Sequence, residues 1–284
     1  MFETVATAAI LMTGLAFVFG LVLATAYRFL KVEEDPRLDE LEEMLPGTNC
    51  GACGTPGCRA FADSLLQGDS IPAACTVSSP EEVGGVAAFL GVDAGSIEKL
   101  VARLKCAGGK GFVRELAEYN GITSCRGGVL VNGGGRSCGW GCLGLADCQH
   151  ACTFGAITMN DQGLPVVDVD LCTACNDCVE VCPLDLFELM PLSQKLLVQC
   201  SSPMAGEAAR MSCEVACDAC GRCVHDAVAG VLEMKAGLPV ITKPDGTTET
   251  ATWRCPTGAI QWVEGGQFGP SANRDSNHPV RTLV

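Results

Sequence analysis

Residues 217–228 read CDACGRCVHDAV. Cys217, Cys220 and Cys223 form a C-x2-C-x2-C comb, a spacing that turns three thiolates toward one iron–sulfur cluster. The full pattern adds a fourth cysteine after three intervening residues, followed by proline. Here that position is Ala227. Where the fourth ligand went decides how the rest of the chain is organised.

The surrounding region, 125–260, repeats itself. Cys125, Cys138, Cys142 and Cys148 recur about 75 residues later as Cys200, Cys213, Cys217 and Cys223, and GLPVV at 163–167 recurs as GLPVI at 237–241. The Cys-Pro pair at 182–183 recurs at 255–256. Each copy reads as a ferredoxin-like unit, in which each comb takes its fourth ligand from the other half of the fold. In the first copy, Cys172, Cys175 and Cys178 from CTACNDC should join Cys152, and Cys138, Cys142 and Cys148 should join Cys182. The latter comb is irregular, C-x3-C-x5-C, with Leu145 where the second copy has Cys220, and Thr153 replaces the proline after Cys152. In the second copy the counterpart of Cys152 is Ala227, and the counterpart of the 172–178 comb falls in PDGTTETA, which has no cysteine. Under crossed ligation those four positions serve one cluster, so they vanish together. The cluster that remains needs Cys217, Cys220, Cys223 and the remote Cys255.

A further set lies upstream. Cys50, Cys53 and Cys58 come from one glycine-rich loop, CGACGTPGC, and Cys75 returns from beyond a helix, RAFADSLLQG. Gly51, Gly54 and Gly57 let the backbone wrap closely and aim N–H groups at sulfides. Sixteen cysteines thus predict four [4Fe-4S] clusters. Cys106, Cys125, Cys200 and Cys213 are left over. Their number invites a fifth cluster, but buried small side chains or alternates to the named ligands are the plainer reading.

Composition agrees. The chain has 284 residues, 20 cysteines and only 5 % aromatics, so bound metal supplies cohesion that large core side chains do not. A disulfide framework fits these spacings less well. Zinc could use such cysteine sets, but the glycines and the spacing favour clusters. The formal charge of −14 excludes a general nucleic-acid partner. Seven basic residues between Lys99 and Arg136, against Glu115 and Glu118, stand out. They form either an ordinary solvated face or a docking patch for an acidic partner, with Lys105, Lys110 and Arg114 as its candidate contacts.

Thr4–Tyr27 carries no charge and spans about 36 Å as a helix, against about 30 Å of hydrocarbon. It reads as one uncleaved transmembrane anchor. Ala24-Thr25-Ala26 resembles a cleavage site, but a signal peptide would have a basic start. Arg28 and Lys31 follow the segment, so the bulk of the chain is expected on the cytoplasmic side. A short acidic helix should come next and end near Pro46. Helices are expected near 80–90, opened by the Ser79-Pro80-Glu81-Glu82 cap, and near 96–105. The tail from Gly265 is expected to be disordered. The fold class is α+β: an anchor (1–30), a small helical four-cysteine domain (31–92), a basic linker (93–137), a two-cluster ferredoxin-like unit (138–192), a one-cluster unit (193–264) and the tail (265–284).

No P-loop, dinucleotide fingerprint or nucleophile–base arrangement is present; Lys110 in AGGKGF is followed by glycine. His150 and His225 follow the combs and need no role beyond helix surface. The chain reads as an electron carrier without an active site of its own.

The anchor, NCGACGTPGCRAFADSL with its return to Cys75, then CGWGCLGLADC and tandem ferredoxin units resemble RnfB, the B component of the Rnf ion-translocating oxidoreductase complex, in its long form. The likeness covers residues 1 to about 262. It implies a prokaryotic inner-membrane complex with integral membrane and cytoplasmic partner subunits. It implies reduced ferredoxin as donor, and electron flow toward NAD or another acceptor coupled to Na+ or H+ movement through partners. A free-standing, membrane-tethered polyferredoxin serving another reductase is the alternative.

Overall fold

The computed structural model describes residues 2–30 and 35–268. Helix α1 (Phe2–Leu30) is the uncharged segment, and Ala9–Phe29 is long and apolar enough to cross a membrane. None of that span is buried against the rest of the chain.

A small helical module comes next: α2 (Arg37–Glu43), α3 (Cys58–Gln67) and α4 (Pro80–Leu90). Leu38, Leu41, Leu45, Phe61, Ala62, Leu65 and Val86 meet in its core. The cap expected at the head of α4 is formed, with Ser79 accepting from the Glu82 amide and the Glu82 carboxylate accepting from the Ser79 amide at 2.7 Å.

The expected helix near 96–105 is not there. Leu100–Leu104 is a strand, β1, and pairs antiparallel with β4 (Phe187–Pro191). Val101 to Leu104 are all buried. A strand wrapped on both faces buries consecutive residues, whereas an amphipathic helix would expose one side. The stretch read as a linker therefore supplies a strand that pairs with 187–191.

Two sets of four strands share one connectivity. In the first, β1 pairs with β4 around the hairpin β2 (Ile157–Met159) and β3 (Pro165–Val167). In the second, β5 (Leu196–Val198) pairs with β8 (Ile260–Trp262) around the hairpin β6 (Leu232–Lys235) and β7 (Leu238–Ile241). The registers match as well. Leu104 faces Phe187 and Val198 faces Ile260, and Phe187 and Ile260 each lie five residues beyond a Cys-Pro cysteine. Between the strands lie α5 (Cys125–Leu130), α6 (Asp147–Ala151) and α7 (Asp177–Val181) in the first unit, and α8 (Gly206–Ser212) and α9 (Arg222–Asp226) in the second.

Gln267 and Phe268, expected in a disordered tail, are packed. Gln267 is buried and exchanges two hydrogen bonds with the Leu104 backbone, at 3.1 and 3.0 Å. Arg103 donates to the Gly266 carbonyl, and Phe268 packs on the first unit's core. The cause is the pair of unsatisfied backbone groups on β1, which a Gln side chain matches with both a donor and an acceptor. The rest of the expected tail lies outside the described residues.

Candidate metal centres

Three loops bear combs, and their backbones repeat. In 172–178, Ala174 and Asn176 are left-handed, with φ of 60° and 77°; in 217–223, Ala219 and Gly221 take 58° and 70°. These turns fold each loop inward so that alternate thiols converge. In 142–148 the same two places are Gly144 and Ala146, at 74° and 66°. The irregular comb therefore has regular geometry: Cys142 and Cys148 take the outer places, and Leu145 stands in the middle one.

Two of the expected cysteine sets each line one cavity. Cys152, Cys172, Cys175 and Cys178 line one cavity. Cys217, Cys220, Cys223 and Cys255 line another. Among the described residues no three His, Cys, Asp or Glu side chains close on a point tightly enough for one bare ion. Sulfurs set around an open space suit a polynuclear iron–sulfide core better than zinc.

The surroundings of these sulfurs fit such a core. Backbone amides point at them: Ala156 N at Cys152 Sγ (3.3 Å), Leu186 N at Cys182 Sγ (3.5 Å) and Ala102 N at Cys172 Sγ (3.5 Å). Burial, reinforced by neighbouring cysteines, pushes the Cys178 and Cys217 thiols up to about 12 and Cys223 to about 11. Uncharged thiols are what a metal-free pocket of this kind favours, and iron must displace their protons to bind. Arg103, almost wholly buried in β1, lies beside Cys172; burial opposes the charge on the guanidinium, and the Cys172 sulfur favours it.

The set of Cys50, Cys53, Cys58 and Cys75 sits on the helical module. Cys53, Cys58 and Cys75 pack against one core. The loop is fixed by Asn49, whose side chain accepts from the Cys58 amide at 2.8 Å, and by left-handed Gly51 and Gly54. Thr55 and Ser78 place hydroxyls 3.1 and 3.2 Å from Cys53 Sγ and Cys75 Sγ.

In the remaining expected set, Cys142 lies beside Cys148, and Cys148 lies beside both Cys182 and Cys125. Cys138 and Cys142 also line a third cavity, with Cys106, Cys200 and Cys213. The sequence assigns no partner to those three because no local spacing links them.

Of the basic candidates, Lys110 and Arg114 are exposed, and Lys105 pairs with Glu188 at 3.4 Å. Arg103 and Arg136 are buried and contribute nothing to a surface.

Family models match two of these segments. Residues 45–77 match the "FeS" family model, an Fe-S cluster segment, and residues 165–187 match the "Fer4" model, a 4Fe-4S binding domain. The chain is 41 % identical over 200 residues to the B component of the Na(+)-translocating ferredoxin:NAD(+) oxidoreductase complex of Acetobacterium woodii, covering 70 % of this chain and 60 % of that one. It is 35 % identical over 268 residues to the B component of the proton-translocating ferredoxin:NAD(+) oxidoreductase complex of Clostridium ljungdahlii, covering 93 % and 94 %. It is 32 % identical over 251 residues to the B component of an ion-translocating oxidoreductase complex of Methanosarcina acetivorans, covering 88 % and 95 %. With cysteine sets, anchor helix and near full-length likeness in agreement, the chain belongs to the RnfB family, the B components of ion-translocating oxidoreductase complexes.

Proposed function

We propose that this protein is the electron-relay subunit of a membrane-bound complex that couples electron transfer from reduced ferredoxin, toward NAD or another acceptor, to ion movement through partner subunits. The observation that carries it is the pair of crossed four-cysteine cavities, each joining a comb to a cysteine remote in sequence. A [4Fe-4S] core, when bound, supplies one-electron storage and release at a potential set by its surroundings. The chain's residues do the rest. Cysteine sulfurs would hold each core, and amides directed at the sulfurs would tune it.

The layout supports a relay. Thr76, next to Cys75, donates to the carbonyl of Thr173, next to Cys172, at 2.6 Å. The helical module's site and the first unit's site are thereby held side by side. Helix α1, with Arg28 in its last turn and Lys31 just beyond, supports a single-pass anchor in the inner membrane with the bulk of the chain on the cytoplasmic side. The two units read as tandem ferredoxin-like domains. Exposed Lys110 and Arg114, with Lys105 nearby, would face an acidic ferredoxin.

The test is stopped-flow reduction of the anaerobic full-length chain in mild detergent by reduced ferredoxin. Lys110→Glu with Arg114→Glu should slow reduction about tenfold or more at low salt and flatten its salt dependence. Unchanged rates across ionic strength would remove the docking surface. Failure of the unmodified chain to accept electrons would remove the relay.

A further inference from the structure

The third cavity is lined by Cys106, Cys138, Cys142, Cys200 and Cys213; of these, Cys142 also lies beside Cys148 in its own loop. Their sulfurs are close. A side chain begun at Gly108 would stand 2.8 Å from Cys213 Sγ and 3.8 Å from Cys106 Sγ, and one begun at Gly141 would stand 3.4 Å from Cys138 Sγ and 3.7 Å from Cys106 Sγ. Glycine at both places leaves the space clear.

The other four cysteines occupy equivalent places in the two units. Cys106 and Cys200 each lie two residues beyond the first strand, after Leu104 of β1 and Val198 of β5, which the strand register makes counterparts. Cys138 and Cys213 each lie four residues before a comb, at Cys142 and Cys217. The junction is paired in the same sense. Ser137 and Ser212, one residue before Cys138 and Cys213, meet hydroxyl to hydroxyl at 3.2 Å. Ala107 N donates to Gln199 O at 3.1 Å, and Arg114 N to Ser212 O at 3.1 Å. Each unit thus offers two thiols across one interface.

Charge gives a separate indication. Arg136 lines the cavity and is buried, donates to the Cys142 carbonyl, and forms no salt bridge with a carboxylate among the described residues. A buried guanidinium needs an anion nearby, and a thiolate-ligated iron–sulfur core is one.

Withdrawing Cys138 from the irregular comb leaves Cys142, Cys148 and Cys182 short of one ligand, the middle thiol that Leu145 replaces. Cys125 is at hand. Its amide donates to Asp147 Oδ2 at 2.8 Å, it lies by Cys148, and its helix α5 brings Gly128 against Leu145, where a side chain would come within 3.0 Å of the leucine. We propose that Cys106, Cys138, Cys200 and Cys213 hold a fifth [4Fe-4S] cluster at the junction of the two units, while Cys125 completes the set of Cys142, Cys148 and Cys182. All 20 cysteines then fall into five sets of four. The junction site stands between the Cys142 and Cys217 loops, so it spans the gap between the units. That role in conduction rests on the relay reading; the site itself does not.

Iron and acid-labile sulfide per chain, measured on anaerobically purified full-length protein in mild detergent, test the site without any electron-transfer assay. About twenty irons are expected. A count of about sixteen overturns the proposal and leaves the relay standing. Cys200→Ala with Cys213→Ala should remove about four irons and one set of reduced-state EPR features; an undiminished count overturns the site. Cys125→Ala should remove about four more irons from its own set, and adding Leu145→Cys, which restores the regular comb, should bring them back. Without that recovery the assignment of Cys125 falls. The count on unmodified protein stands even if a variant does not fold.

Discussion

The two four-strand units share strands, register and comb geometry, yet they hold themselves together differently. In the first, α6 and α7 pack together, and each precedes a cysteine that crosses to the other's loop. Its core cluster includes Cys142, Cys148, Cys172 and Cys178 among the buried residues. In the second, the place of the second comb is taken by the turn Glu249–Thr252, which packs on α9. There Ala251 is buried with Val231, Leu232 and Ile260, and Ala227 packs against them in the place of a ligand. Thr250 Oγ1 donates to the Asp226 carbonyl at 3.2 Å, and Arg254 pairs with the Asp226 carboxylate. Where sulfur and iron were lost, hydrocarbon and a few polar ties close the fold.

Stripping the metal should separate the units most. After anaerobic chelation, amide exchange in α6 and α7 should accelerate on the order of a hundredfold or more, while the contact of α9 with 249–252 keeps more of its protection. Equal loss in both units would break the contrast. The metal-free chain should also be alkali-sensitive. Burial raises the Cys148 and Cys178 thiols to about 12. A raised folded value means their contribution is complete below the ordinary thiol range, about 8.5, and fades as pH climbs toward the folded value. Thermal midpoints of the stripped protein should therefore fall through that window, with no comparable fall in the loaded protein, whose thiolates have already lost their protons.

A smaller effect is expected at Arg103. The strand register makes Leu197 its counterpart in the second unit, where the neighbouring cluster site was lost. Arg103→Leu imports that residue beside Cys172. Removing the buried cation should lower the potential of the site held by Cys152, Cys172, Cys175 and Cys178, read by EPR-monitored titration, with the others little moved. A shift shared by every site would indicate a general loosening instead.

The weakest response should be none at all. Ala227→Cys restores one ligand of the vanished set. Because the other three remain absent, iron content should stay at the unmodified value. A gain of iron would mean that the crossed wiring of the second unit is misread.

Much of the metal chemistry was legible without coordinates. Comb spacing places thiols through covalent geometry alone, so 172–178, 217–223 and 50–58 declared themselves, as did the cap at Ser79 and the apolar span of α1. The duplicated pattern also exposed the concerted loss at Ala227 and 244–251. Strand β1 was misread because Leu100–Leu104 is too short for its apolar period to distinguish helix from strand, and its partner, β4, lies far along the chain. Gln267 escaped notice because a single polar side chain bound to a buried edge leaves no pattern.

Residue order alone marks the regular combs at 172–178 and 217–223, since a few peptide units fix how closely neighbouring cysteines can approach. Packing in three dimensions decides the rest: that Cys125 lies by Cys148, and that Cys106, Cys138, Cys200 and Cys213 line one cavity. Those sulfurs are joined by no short stretch of backbone, and their meeting depends on how two sheets dock, which no spacing along the chain encodes.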